Sequence, residues 1–496
     1  MIRSRFEIIT SACDGRVSGI GGKFISRMIA LLTVCGIVFS CLSERASFAF
    51  SIDDENKLGK EIYDKLNRGN FLLRDKRAND YIEKLGNKIA SQNSSTYFRF
   101  RFSIVNSSAV NAFATPGGYV YLNKGLITLV ENENELAGVL AHEIAHVNAR
   151  HIASQIEKSQ KIGIATLAAI VAGAFLGGGG TGSEAALGIS MATSGALQLK
   201  FSRENEEEAD RLGMNYLVAA GYDGRGMLDF LKIMKNYEFY SNAIPSYFLT
   251  HPGTDERIHY IDGLLQARYR RYGGSTNIIG GLKRIQTILM LSEKDVAVPQ
   301  KYFQEKLNKN GEDVDALYGA AVIQSRLGRI DEAVTNFYKA LKIRPDDVDV
   351  LRELGICYFK SGKTVDAIGV LRKAMLLNDD DEDTLLYLGR SYEEINDYRT
   401  ALNLYLRYQK KRPDDSDIYY NLAMNYGKAN DQGESHFNFG MFFKKKGKTE
   451  SALFHFKEAL KYFQPNSQRA SDIQKEIELL QTEKKRPPAP AKKLLF

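Results

Sequence analysis

Between about residues 314 and 413 the chain repeats itself every 34 residues. Ala333, Ala367 and Ala401 stand one period apart, and so do Phe337, Leu371 and Tyr405. Leu354-Gly355 returns as Leu388-Gly389, and Tyr358 as Tyr392. Pro345, Asp379 and Pro413 mark one phase, with Pro at two of the three positions. A strict period of this length forces a stacked arrangement, because each helix pair cannot bury its apolar face alone and must pack on the next. The small residues let the two helices of a pair approach, and the large ones fill the space between neighbours.

This is the tetratricopeptide pattern. A fourth unit keeps the phase at Leu422-Ala423 and Tyr426 but loses it in its second helix. Gly440, Ala452, Phe456 and Ala459 restart the pattern 17 residues out of phase, which reads as a half-repeat insertion or a slipped last unit. The tail from Lys484 to Phe496 has no patterned core and is expected to be disordered. Solenoids of this kind present extended binding surfaces, so protein partners are expected on the repeats.

Upstream the pattern changes. Amphipathic helices are expected from Asp53 through Leu66 and from Ala78 to Ala90. Phe98 to Val105 alternates as a strand does; Asn111 to Ala114, the turn Thr115-Pro-Gly-Gly118 and Tyr119 to Leu122 read as strand, turn, strand. Helix returns from Gly125 to about Gln160 and again over 203–237, broken near Gly221. Residues 162–193 are rich in Ala, Ile and Gly and too short in either half to span a bilayer. They read as a buried helical hairpin, or as a lid that touches the membrane periphery. Gly177 to Gly180 lacks the Lys-Ser/Thr of a phosphate loop, which excludes that mode of nucleotide binding.

The chemistry centres on Ala141-His142-Glu143-Ile144-Ala145-His146, inside a strongly helical stretch. Residues four apart share a helix face, so His142 and His146 can offer two imidazole nitrogens to one ion. Glu143 then points at a neighbouring angle, where it can act as general base on an attacking water. With 7 His and 60 acids in 496 residues, this spacing arises by chance in roughly one such chain in eighty, and its helical context makes it specific. Zinc suits imidazole and carboxylate donors with an open position for catalysis. His151, five residues past His146 on a continuous helix, would sit about 140° round and off the metal face. His259, His436 and His455 are expected to be structural.

Downstream stands Phe201-Ser-Arg-Glu-Asn-Glu-Glu-Glu-Ala-Asp210. H-E-x-x-H followed by S-R-x-x-E-x-x-A-D resembles the metallopeptidase family of HtpX and the CAAX prenyl proteases, and within it the exported branch that joins the same catalytic domain to tetratricopeptide repeats. The resemblance covers roughly residues 50–470. It implies a zinc metalloendopeptidase of the gluzincin type, a hydrolase with one Zn2+ per chain held by His142, His146 and Glu206. It also implies Asp210 as a residue that orients a ligand histidine or assists proton transfer. Glu204, Glu207 and Glu208 are rival carboxylates, read as a solvated helix face. His251-Pro-Gly-Thr-Asp-Glu-Arg257 matches a further family segment, which implies His251 as a regulatory zinc ligand that plugs the site. Arg257 is expected in a structural ion pair. Asn111, Ala112 and Phe113 also fit the family, and a strand edge there would pair with an extended substrate by main-chain hydrogen bonds. By resemblance the substrates are misfolded or stalled envelope proteins, and envelope assembly partners sit on the repeats. The alternative is a chaperone-like assembly scaffold whose proteolysis is latent, gated by His251.

Lys23 and Arg27 precede the apolar run Met28 to Leu42, which has the length of a signal peptide core, and Ser47-Phe-Ala49 supplies the small residues of a cleavage site after Ala49. An uncleaved leader would instead anchor the chain to a membrane. Cleavage removes Cys13, Cys35 and Cys41 and leaves Cys357 alone, so no disulfide and no cysteine metal cluster is expected in the mature chain. The balance of 67 basic and 60 acidic residues is too even for nucleic acid. The expected whole is a mainly α protein: a signal peptide (1–49), a zincin-like metallopeptidase domain with a small β-sheet (50–275), a linker (276–313), an α-helical tetratricopeptide-repeat solenoid (314–465), and a C-terminal helix with a disordered tail (466–496). Export without disulfides, together with the family branch, points to a bacterial periplasm and protein quality control there.

Overall fold

The computed structural model describes residues 50–93, 97–159, 201–241, 245–269, 273–293 and 295–485. The leader, the apolar 162–193 stretch and the tail beyond Lys485 lie outside the described residues. The chain divides into two compact units, meeting at Gly280 and Gly281.

The first unit opens with α1 (Ile52–Arg68), started by a capping box in which Ser51 and Asp54 satisfy each other's backbone N–H groups. Asp75 caps α2 (Lys76–Ala90). Strands β1 (Arg101–Val105), β2 (Ala112–Thr115) and β3 (Tyr119–Asn123) form one sheet in the order β1-β3-β2. β1 runs parallel to β3, with Phe102 opposite Val120, and β2 runs antiparallel to it, with Phe113 opposite Tyr121. The turn between β2 and β3 uses Gly117 and Gly118 at φ of 80° and 86°, a region open to glycine at little cost. β1's outer edge is met by the bridge of Leu72 to Val105, which leaves β2 as the other edge.

Three helices follow where one long helix was expected: α3 (Lys124–Leu129), α4 (Glu133–Asn148) and α5 (His151–Ser159). Val130 is extended, and Asn132 and Glu135 form a new capping box for α4. The second break falls at Arg150, which takes the left-handed φ of 55°. A side chain resists that conformation. Arg150 is held there by Glu55, whose Oε1 accepts from Nε at 2.6 Å, and by the carbonyl of Phe50.

Next come α6 (Arg203–Ala219), α7 (Arg225–Ser241), the short α8 (Ser246–Thr250) and α9 (Thr254–Leu264), whose end winds into a π turn at Leu265–Tyr269. α4 is buried along almost its whole length, between α6, α7, α2 and the sheet. At its start, buried Glu133 accepts from the Tyr222 hydroxyl at 2.7 Å, the Tyr81 hydroxyl at 3.1 Å and the backbone N–H groups of Ile278, Ile279 and Gly280 at 2.7 Å each. α6 crosses α4 at Gly213, where a Cβ would stand 3.0 Å from the backbone of Ala141 and His142.

The second unit begins earlier than the repeat period suggests. Where a linker over 276–313 was expected, α10 (Leu282–Leu291) and α11 (Ala297–Lys309) are helices that pack on α12 (Val314–Arg326). Arg284 of α10 is held by Asp315, Asp347 and Asp349 at 2.6 to 3.1 Å and lies over the Tyr318 ring. These contacts are long-range, and local periodicity carries no trace of them. The pairs then run α13 (Ile330–Ile343), α14 (Val348–Lys360), α15 (Thr364–Leu377), α16 (Glu382–Glu394), α17 (Tyr398–Lys411), α18 (Ser416–Lys428), α19 (Gln432–Lys445), α20 (Thr449–Leu460) and α21 (Gln468–Lys485). A Cβ at Gly355 would lie 2.4 Å from Leu371, and one at Gly389 would lie 2.6 Å from Tyr405. The same close approach thus recurs one period apart. The phase slip near 440 amounts to one helix, half a repeat. α19 packs closely on both α18 and α20, closing one pair and opening the next, and its Gly440 faces Phe456. Among the described residues no helix is long and apolar enough to cross a membrane.

Gly213→Ala tests the crossing of α4 and α6. The added methyl meets backbone, which cannot swing aside, and overpacking of this kind costs about 1–3 kcal/mol. The urea midpoint of the first unit is expected to fall while the repeat unit's transition stays in place. An unchanged midpoint would mean that the helices do not approach so closely.

Candidate metal centre

α4 carries His142 and His146 one turn apart on its buried face, and Glu143 beside them. α6 presents Glu206 and Asp210, again four apart, across the Gly213 crossing. His251 caps the C-terminal end of α8, and Arg257 enters from α9. All seven side chains are buried, although six of them are acids or imidazoles that water would otherwise solvate readily.

Four of them face one point. His142 Nε2 lies 3.0 Å from His146 Nε2, 3.5 Å from Glu206 Oε2 and 3.3 Å from His251 Nδ1. Glu206 Oε1 lies 3.4 Å from His146 Nε2 and 3.1 Å from His251 Nδ1. Donors set about 2.0–2.1 Å from a tetrahedral zinc stand about 3.3 Å from one another, so this set has the spacing of a zinc site. Its chemistry agrees, since three imidazoles and a carboxylate are nitrogen and oxygen donors of the kind zinc takes. Glu143 stands just outside, its Oε1 3.5 Å from His251 Nε2 and without a hydrogen-bond partner.

The surrounding groups orient these donors. His142 Nδ1 lies 2.8 Å from Asp210 Oδ1, so a neutral His142 that keeps its hydrogen on that nitrogen leaves Nε2 bare towards the cluster. Arg257 grips Asp210 with two parallel hydrogen bonds, Nε to Oδ2 at 2.8 Å and Nη2 to Oδ1 at 2.7 Å. Its Nη1 lies 2.8 Å from Glu206 Oε2 as an ion pair without hydrogen-bond alignment. Phe201 stacks on His146 with centroids 4.0 Å apart, and Tyr247 stacks on His251 at 4.4 Å.

The electrostatics follow from burial and these partners. Burial opposes the charged form of Glu206, but His251, Arg257 and the two hydrogen-bonded imidazoles outweigh it and hold its carboxyl well below the usual range. Asp210 is likewise held low, mainly by Arg257 against burial. Glu143 has weaker support, and burial pushes its carboxyl up. Burial pushes the imidazole of His146 well below its usual value. For His142, burial and Arg257 act downward, but Asp210 and Glu206 prevail and hold it up to about 9.

The structure brings together His142, Glu143, His146, Glu206, Asp210 and His251. Glu204, Glu207 and Glu208 lie exposed on α6. Asn111, Ala112 and Phe113 sit at or beside the β2 edge, which packs on α4, and all three are buried. Neither polar atom of the Asn111 amide has a hydrogen-bond partner. The Ser246 hydroxyl donates to the Val110 carbonyl at 3.2 Å, so the start of α8 lies against this edge. His151 differs from expectation. The break at Arg150 turns it back towards the centre, where it is buried with Nδ1 2.9 Å from His146 Nδ1. No local signal marks that break, because Arg150 is not a residue that favours left-handed backbone. His436 and His455 face each other at 3.0 Å in the repeat unit, away from any acid cluster found among the described residues.

Residues 76–265 match the profile of peptidase family M48, and residues 326–383, 383–415 and 433–466 match tetratricopeptide repeat profiles. The beta-barrel assembly-enhancing protease of Yersinia pestis is 32% identical over 292 residues, which is 58% of this chain and 60% of that protein. The protein of that name in Escherichia coli K12 is 33% identical over 214 residues, covering 43% of this chain and 44% of the relative. The mitochondrial metalloendopeptidase OMA1 of Schizosaccharomyces pombe is 27% identical over 225 residues, covering 45% of this chain and 64% of the relative. The matches therefore span less than two thirds of each relative's own length.

Metal loading must expel the proton that Asp210 and Glu206 hold on His142. Its pKa is raised to about 9, so below that pH the imidazole is protonated and competes with the metal. Zinc affinity is expected to fall by about tenfold per pH unit as pH drops from there, and to level off above it. Chelator competition across pH checks this. A flat profile between pH 6 and 9 would show that His142 is already neutral.

Proposed function

We propose, from the match of residues 76–265 to peptidase family M48 and of the following segments to tetratricopeptide repeats, that the chain is a zinc-dependent endopeptidase acting on envelope proteins. The observation that carries the reading is the buried convergence of His142, His146, Glu206 and His251 with Glu143 alongside. His142, His146 and Glu206 would hold the zinc, and His251 would be a fourth, regulatory ligand. When bound, zinc polarises the scissile carbonyl and acidifies the attacking water.

The chain's own residues do the rest. Glu143, pushed up by burial, is tuned to take a proton from the attacking water and pass it to the leaving amine. Asp210 keeps the Nδ1 proton on His142 and so keeps Nε2 free. Arg257 keeps Asp210 and Glu206 charged and in place. An extended substrate would add to the β2 edge at Asn111, Ala112 and Phe113, and the unpartnered Asn111 amide offers it a donor and an acceptor. Binding there requires α8 to move away from Val110. Misfolded or stalled envelope proteins are the proposed substrates and a bacterial periplasm the proposed compartment. The name of the bacterial relatives, beta-barrel assembly-enhancing protease, supports a role in handling envelope proteins. The repeats would recruit the protein partners.

A second reading is favoured by one observation: His251 is fully buried, with Nδ1 inside the ligand set. Such an enzyme is latent, and its standing role could be that of an assembly scaffold whose proteolysis is gated by His251.

Elemental analysis and casein cleavage on four proteins test the first reading. Wild type is expected to carry about one zinc. Glu143→Gln should keep the zinc and lose at least about 100-fold in activity, the usual contribution of a general base. Glu206→Ala should lose zinc, and His251→Ala should cleave faster than wild type. A folded wild type without zinc sinks the metallopeptidase. In cells, a Glu143→Gln protein that still supports envelope function would favour the scaffold, whereas loss of that function in a folded, partner-binding Glu143→Gln protein assigns it to catalysis.

A further inference from the structure

His142 and His146 are oriented by different means. For His142 the orienting group is a carboxylate, Asp210. For His146 it is another imidazole: His146 Nδ1 lies 2.9 Å from Nδ1 of His151, with the ring centroids 4.9 Å apart. His151 Nε2 in turn lies 3.2 Å from Oε2 of Glu208 on α6. We propose that His151 and Glu208 are positioning residues that fix the tautomer and ring orientation of His146 as a zinc ligand. The inference rests on the metal reading given above and extends it to His151, which sequence spacing places off the metal face, and to Glu208, read there as part of a solvated helix face.

The argument is one of proton bookkeeping along the chain of contacts. An ionised carboxylate only accepts, so His151 Nε2 must carry the hydrogen that faces Glu208. A neutral His151 then has a bare Nδ1, which can only accept. The hydrogen between the two rings therefore belongs to His146 Nδ1, and His146 Nε2 is left bare. That nitrogen is the one that faces His142 Nε2 at 3.0 Å and Glu206 Oε1 at 3.4 Å. With the tautomer reversed, His146 would turn a hydrogen towards the metal. The left-handed Arg150, anchored on Glu55, is what brings His151 into reach. His151 is buried and Glu208 is half exposed, so the relay ends at solvent.

The test measures zinc affinity by competition with a chromophoric chelator, and the visible spectrum of the cobalt(II)-loaded protein, on the full mature chain. Loss of an orienting partner commonly costs 10–100-fold in metal affinity. His151→Leu, which removes the acceptor, is expected to weaken zinc by about that factor and to shift the cobalt spectrum. His151→Asn places a carbonyl oxygen near the Nδ1 position and is expected to recover most of the affinity, which a purely packing role would not explain. Glu208→Ala is on the surface and should fold; it is expected to weaken zinc severalfold. Wild-type affinity and spectrum in His151→Leu, or in Glu208→Ala should His151→Leu fail to fold, overturn the assignment. So does equal loss in His151→Asn and His151→Leu. A wild type that binds no zinc overturns instead the metal reading beneath it.

Discussion

The centre depends on one buried cation. Arg257 places its guanidinium against Asp210 through two hydrogen bonds and against Glu206 through an ion pair, with only 6% of its side chain exposed. Two carboxylates from one helix, four residues apart, could not both stay ionised in that interior unaided. Removing one partner of such a buried group leaves the others uncompensated, at about 3–5 kcal/mol. Through Asp210 the arginine also reaches His142, since Asp210 Oδ1 accepts from both. The order therefore runs from α9 to α6 to α4: the arginine fixes the aspartate, and the aspartate fixes the imidazole.

The second unit is built on a similar device. Arg284 gathers Asp315, Asp347 and Asp349 from two helix pairs, and Arg352, more deeply buried, reaches Asp349 and Asp381. A planar cation with several donors can satisfy acids from different elements at once, which a lysine cannot. In a solenoid, where each pair touches only its neighbours, such bridges lock the register between successive units. They complement the close contacts of Gly355 with Leu371 and Gly389 with Tyr405, which set the spacing within a unit.

How much of this was legible in the sequence follows from range. The period of 34, the i and i+4 pairs of His142 with His146 and of Glu206 with Asp210, and the strand–turn–strand around Gly117 and Gly118 are local patterns, and the structure has them where the patterns lie. The joining of α4 to α6 was readable only through resemblance, because nothing in either segment alone says that Gly213 is their crossing. What escaped was non-local. α10 and α11 look like linker because Arg284 finds its partners more than thirty residues away. The place of His151 was misjudged because a helix was extended through Arg150. That break is enforced by Glu55, 95 residues earlier in the chain, and not by any helix-breaking residue. A periodicity argument assumes that the helix continues, and a left-handed residue held by a distant ion pair defeats it.

The segment from Pro245 to His251 has two effects, and they are physically one. Its first turn places Ser246 on the Val110 carbonyl beside the β2 edge, and its last residue, His251, lies among the candidate metal donors. The turns between are short and rigid: the N–H of His251 bonds the carbonyl of Tyr247 at 2.9 Å, and the Tyr247 ring lies stacked on the imidazole. A helix of one turn does not bend between its ends, so it leaves or stays as a body. In the proposed reading, withdrawal of His251 from the donors would also part Ser246 from the Val110 carbonyl, beside the strand edge on which an extended peptide would pair. In the proposed reading, access to the strand edge and release of the fourth donor position would be coupled through this one segment.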